Sequence, residues 1–286
     1  MRSWKLALGL AFLLGVGIWG LATLGHQPRS QGTGVKFPSF SKIAQTAADQ
    51  GVIQPTGKPE FTATFTGSRL KKSVWATCYP AMDLPTGCTY FGSSEYQWYL
   101  PSQDRVSGGV LRLTAQRAPT AGKARNGRRH EYACRSGMVT TYPSFRFTFG
   151  YVQVSAKILP RPGLRPALWL AAANGASQPK IAMLQAWGGK RGRSATAAVT
   201  FEPVGHSAFR APLPSTLAVG WHTIALSWKK AQLTWLVDGK QVLTVRQQIP
   251  QQQMYFIADL AEFSYPRQAD ECNGSLLIRS VKVWKD

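Results

Sequence analysis

Residues 150–189 most constrain how this chain can fold: GYVQVSAKILPRPGLRPALWLAAANGASQPKIAMLQAWGG. Two strand-like apolar runs flank a Pro/Gly corner, and a third run ends in Trp187, Gly188 and Gly189. Val, Ile, Thr, Tyr, Phe and Trp recur in such short runs along the chain, broken by Gly and Pro. No long segment keeps the 3.6-residue apolar period of a helix, so the chain reads as all-β. One β domain of roughly 200–250 residues behind an N-terminal extension accounts for its length.

That extension opens with an apolar run. From Leu6 to Gly25 no residue is charged, and Arg2 and Lys5 precede it. A run of about 20 apolar residues can span a bilayer, whereas the apolar core of a secretory signal is about 7–15 residues long. Length therefore favours an uncleaved signal anchor over a cleaved signal peptide, and Thr23-Leu24-Gly25 makes a poor cleavage site. Either way the rest of the chain is expected outside the cytoplasm, in the periplasm or at the cell surface. Residues 26–59, rich in Gln, Ser, Thr, Gly and Pro, read as a flexible linker. The folded domain is expected over residues 60–286.

Four cysteines, Cys78, Cys88, Cys134 and Cys272, suit an oxidising compartment. They allow three pairings. Joining Cys78 to Cys88 closes a short loop holding Pro80, Pro85 and Gly87, and leaves Cys134 for Cys272. No C-x-x-C pair or histidine spacing suggests zinc, so neither a metal nor a cofactor is expected.

The formal charge is +21. A surplus this large draws polyanions, whether acidic polysaccharide, nucleic acid or anionic lipid; a solvated surface is the plain alternative.

Strands are expected over residues 61–65, 95–99, 108–115, 136–141, 194–201, 221–229, 233–237, 241–245, 254–260 and 276–284, with residues 123–130 (KARNGRRH) a basic loop. Asp238-Gly239 is a hairpin turn signal between two of these runs. With the three runs of residues 150–189, about a dozen strands in one domain favour a two-sheet sandwich of jelly-roll type.

Taken together, these segments resemble glycoside hydrolase family 16, the laminarinase and lichenase relatives with a concanavalin-like jelly-roll β-sandwich, and in particular bacterial exopolysaccharide glycanases. Phe65, Gly67, Leu70 and Trp75 resemble the family's opening. Residues 95–99 (EYQWY) are similar to its E-L-Q-x-Y segment, 109–115 to G-x-L-x-I-x-A, and 136–141 (SGMVTT) to S-G-M-L-T-T. The most specific piece is 151–170. There Ala156, Lys157, Pro160, Gly163, Leu164, Pro166, Ala167, Trp169 and Leu170 fall where the family pattern has them. Trp235, Asp238, Gly239, Tyr255, Leu260 and Ala261 continue the match.

The resemblance implies a catalytic strand like E-I-D-x-M-E, followed by the segment that Ala186, Trp187, Gly188 and Gly189 match. One glutamate serves as nucleophile and another as acid/base, about 5–5.5 Å apart, with the aspartate between them. Alternate residues share one face of a strand, and a one-residue bulge lets the third acid join. Here those positions hold Lys180, Ala182 and Gln185. An amine cannot form a glycosyl ester, a methyl has no proton to give, and an amide cannot carry one to a leaving oxygen. No Asp or Glu occurs between Glu131 and Glu202, so a shift of frame does not restore the acids. Gln153, Ser155 and Arg165 also depart from the family's Glu, Arg and Trp.

The resulting expectation is a non-catalytic domain that binds polysaccharide, with Trp169, Trp187, Arg165, Gln185, Asp259 and Glu262 as binding candidates. Tyr142 and Tyr265 are further aromatic candidates. Arg161, Lys190, Arg191 and Arg193 lie on or beside the same segments, with Arg125, Arg128 and Arg129 in a second cluster; together they suit an anionic glycan. One alternative is an active glycanase with relocated acids drawn from Asp259, Glu262, Glu95 and Glu131. Another is a nucleic-acid or lipid binder driven by net charge, with nucleic acid the less expected partner.

Overall fold

The computed structural model describes residues 55–80, 88–89, 95–123, 128–159, 161–188, 195–262 and 272–286. The apolar run at 6–25, most of the linker, Arg125, Lys190, Arg191, Arg193 and Tyr265 lie outside the described residues. Among the described residues no helix is long and apolar enough to cross a membrane.

The described residues form two packed sheets. The larger is built on β14 (Lys240–Val245), β13 (Gln232–Val237), β12 (His222–Lys229), β7 (Gly150–Leu159), β16 (Gly274–Trp284), β4 (Val110–Lys123), β5 (Arg129–Ser136) and β2 (Gln97–Tyr99), in that spatial order. β1 (Phe61–Thr64) pairs with β16, and β3 (Asp104–Ser107) with β4. The smaller sheet runs β11 (Phe209–Leu213), β10 (Ala195–Glu202), β9 (Lys180–Gly188), β8 (Leu164–Ala172), β15 (Met254–Glu262), β6 (Met138–Thr140). Paired strands among these elements are antiparallel except β2 with β5. This is the all-β sandwich expected.

The alternation of side chains explains the assembly. On β7, Val152, Val154, Ala156 and Ile158 face inward to meet Leu168, Leu170, Ile181 and Met183 of the smaller sheet. Trp228 and Trp235 are fully buried between the sheets, where each aromatic side chain removes roughly 150–250 Å² from water. Trp75 packs against Phe61 and Phe65, as an opening strand with a tryptophan beneath it requires. At the β13–β14 hairpin Asp238 and Gly239 both take positive φ, 49° and 77°, which a two-residue turn of that twist needs.

Three differences from the sequence reading have local causes. The strand expected to end at residue 115 continues to Lys123, because β5 pairs with its far half. Arg129 and His130, placed in a basic loop, belong to β5 for the same reason. β11, five residues broken by an arginine and a proline, has too weak a pattern to read alone and is recruited by its register against β10. Both disulfides join the cysteines as paired above, Cys78 to Cys88 and Cys134 to Cys272.

Candidate functional site

The site begins with an irregularity in β9. Against β8, Ala182 lies opposite Trp169 and Leu184 opposite Leu168; against β10, Ala182 lies opposite Thr200 and Gln185 opposite Ala198. β9 therefore carries one extra residue between Ala182 and Gln185. Ile181, Met183, Leu184 and Ala186 all enter the inter-sheet core. Two successive core residues at the bulge bring Lys180, Ala182 and Gln185 onto the outer face together. The indole N–H of Trp235, reaching across from the larger sheet, donates to the Ala182 carbonyl at 3.0 Å and pins the bulge.

Register then lays out the outer face. One row runs Ala198, Gln185, Ala167, Asp259, Met138, and the next Thr200, Ala182, Trp169, Ile257, Thr140. Lys180, flanked by Glu202 and Ala171, begins a third. The alanines keep the floor low. Tyr79, beside the bridged Cys78, and Tyr99 of β2 pack over part of this face, against Trp169 and Met138.

Trp169 is the hub. Its indole N–H donates to Asp259 Oδ2 at 2.6 Å, the Lys180 ammonium sits 4.3 Å from the ring centroid, and Tyr79 packs tilted at 6.4 Å. With only 5 % of its surface exposed, this ring is a buried aromatic, not a platform open to a sugar. Burial pushes the Asp259 carboxyl above the usual carboxylate range, against the pull of Arg165, the indole bond and Lys180. Burial, then the Arg165 guanidinium, lowers the Lys180 pKa, against Glu202, Asp259 and Glu95. Tyr99 is pushed well above its ordinary value by burial and then by Asp259 and Glu95. Its hydroxyl has no hydrogen-bond partner among the described residues.

The other candidates divide. Gln185 faces outward but is nearly buried; Arg165 and Trp187 are half-buried, and the Arg210 guanidinium covers one side of the Trp187 ring at 4.6 Å. Tyr142 lies at the far end, edge-on to Tyr255 at 5.0 Å with the Arg146 guanidinium over it at 4.1 Å. Glu262 does not join Asp259. It is fully buried, its carboxylate borders Gly163, and it lies with the Cys134 and Cys272 sulfurs within 4.8 Å. As those sulfurs form a disulfide, the three are not a free ligand set. Glu95 is within electrostatic reach of Lys180 and Tyr99 and accepts from Gln97 Nε2 at 2.6 Å. Glu131 is exposed on β5. Arg161 borders the end of β9 through Gly188, while Arg128 and Arg129 lie beside or on β5, which belongs to the other sheet.

Sequence reasoning missed Tyr79, Tyr99, Glu202 and Arg210. Tyr79 was legible as the neighbour of a bridged cysteine. The rest depend on registers that pattern alone does not give.

Comparison with known proteins agrees with the fold. The family model for glycosyl hydrolases family 16 matches residues 92–270. Endo-1,3-1,4-beta-glycanase ExsH of Rhizobium meliloti (strain 1021) is 29% identical over 192 residues, covering 61% of this chain and 39% of ExsH. Endo-1,3-1,4-beta-glycanase EglC of the same organism is 28% identical over 228 residues, 75% of this chain and 47% of EglC. The chain thus spans less than half the length of these curated relatives. Among solved structures, the endo-beta-1,3-glucanase from Pyrococcus furiosus superposes with a TM-score of 0.65 at 18% identity, covering 80% of this chain and 94% of that one. At that identity the likeness speaks for the fold.

Proposed function

The chain belongs to glycosyl hydrolase family 16, and from that premise we propose that it is a non-catalytic member, holding an extracytoplasmic β-glycan against the outer face of its six-stranded sheet without cutting it. The observation that carries this reading is the face of β9. Its bulge brings three side chains together, and they are an amine, a methyl and an amide: Lys180, Ala182 and Gln185. Strand β9 contains no carboxylate.

Carboxylates elsewhere on this sheet do not make up the deficit. Asp259 and Glu202 both face outward, from β15 and β10, with β8 and β9 between them. Three strand spacings separate them by at least about 14 Å. A nucleophile/acid pair needs roughly 5–5.5 Å, and an inverting pair roughly 6.5–9.5 Å. An ammonium at Lys180 also opposes the positive charge that develops on the sugar in the transition state. What remains is a half-exposed rim of Lys180, Arg165 and Trp187, suited to hydrogen-bonding and stacking on a sugar chain. The apolar run at 6–25 and the two disulfides support an exported chain held at a membrane.

The test is restoration. The triple variant Lys180→Glu, Ala182→Asp, Gln185→Glu is expected to gain release of reducing ends from laminarin or mixed-linkage β-glucan that the wild type lacks. Absence of glucan binding by the wild type refutes the reading.

One observation favours a second reading. Burial raises the Asp259 pKa, and Asp259 and Glu95 both act on the buried Tyr99 hydroxyl, an environment in which a carboxyl can serve as a general acid. In that case the wild type cleaves, and Asp259→Asn abolishes cleavage.

A further inference from the structure

The ten-stranded sheet turns its own outer face away from this site, and there the charges line up. Arg105 on β3 lies opposite Arg112 on β4, Arg112 opposite Leu277 on β16, and Leu277 opposite Lys157 on β7. Both arginines are exposed and Lys157 is half-buried. Just before β12, and so next to Lys157, the half-buried Trp221 carries the Arg279 guanidinium 3.8 Å from its ring centroid. Arg279 is itself presented by a bulge in β16, between Ile278 and Ser280.

No acid answers this row. β3, β4, β7, β12 and β16 contain a single carboxylate, Asp104, and it faces inward opposite the buried Leu113. Like charges placed directly opposite on adjacent strands destabilise a sheet. Arg105 and Arg112 are held that way with no carboxylate within ion-pair reach among the described residues; Arg112 reaches only the Ser275 hydroxyl, at 3.4 Å. A bound anion would relieve this repulsion.

We propose that this row is a second glycan site, separate from the β9 face, which takes a linear acidic polysaccharide laid across the strands. Strands about 4.8 Å apart put the two arginines one spacing from each other and Lys157 two spacings beyond Arg112. The cations therefore stand in a single file, matching a chain of repeating carboxylates better than a plane of headgroups. Guanidinium forks grip such carboxylates two oxygens at a time. Lys229 and Lys282, further cations that the register places on this side, stand off the line.

The test uses the full chain in mild detergent, titrated with polygalacturonate and separately with laminarin. Arg105→Ser with Arg112→Ser is expected to weaken polygalacturonate binding at least roughly tenfold, the scale of a lost charge-assisted pair. Lys229→Ser with Lys282→Ser removes the same charge from the same face and should change it little. Laminarin affinity should not move in either variant, which separates this site from the β9 face. Equal losses in the two pairs, or none in either, overturn the proposal. So does a wild type that prefers phosphatidylglycerol vesicles or DNA to polygalacturonate at matched salt.

Discussion

At the scale of residues, the centre of the site is the bond from Trp169 to Asp259. Both were legible as candidates, but their roles were not, because sequence does not show that the two side chains face each other across β8 and β15. The ring expected to meet a sugar instead holds a buried carboxylate. Trp169→Phe keeps the aromatic volume and removes the donor. It should cost about 1–3 kcal/mol in denaturant unfolding at pH 7, the price of an acceptor left unsatisfied. Asp259 also sets a pH dependence. Its folded pKa lies above the unfolded value, so the folded state binds the proton more tightly. Its contribution to stability is therefore least when ionised, and grows as pH falls through the folded pKa toward the unfolded value of about 3.9. Asp259→Asn should remove that part of the slope in melts between neutral and acid pH; an unchanged slope would show that other groups set it.

At the scale of elements, β9 decides the chemistry, and the bulge that aligns Lys180, Ala182 and Gln185 is held from behind by Trp235. The bulge was implied by the resemblance, and its replaced side chains were readable residue by residue. The anchor was not, since a tryptophan on β13 and a carbonyl on β9 are 53 positions apart. Trp235→Phe should destabilise the fold by about 1–3 kcal/mol through the orphaned carbonyl. It should also lower glucan affinity, because a slipped bulge would turn Gln185 toward the core. Unaltered stability would mean the bulge holds without it.

At the scale of the whole molecule, the sandwich was the most legible feature, because alternating apolar runs, hairpin turns and the order of motifs all point the same way. Less legible was the cover over the site, where Tyr79, beside the bridged Cys78, meets Tyr99 of β2, a strand that pairs in parallel with β5. Cys134–Cys272 spans 138 positions and ties β5 to the segment leading into β16. Replacing both cysteines with serine should lower stability by about 2–5 kcal/mol, and reductant, which also opens Cys78–Cys88, should lower the wild type by at least as much. The proposed role of the domain stands on an absence of cutting. Purified wild-type chain incubated with laminarin, mixed-linkage β-glucan and a bacterial exopolysaccharide is expected to release no reducing ends above buffer while still binding one of them. Sustained release, lost in Asp259→Asn or Glu95→Gln, would contradict it.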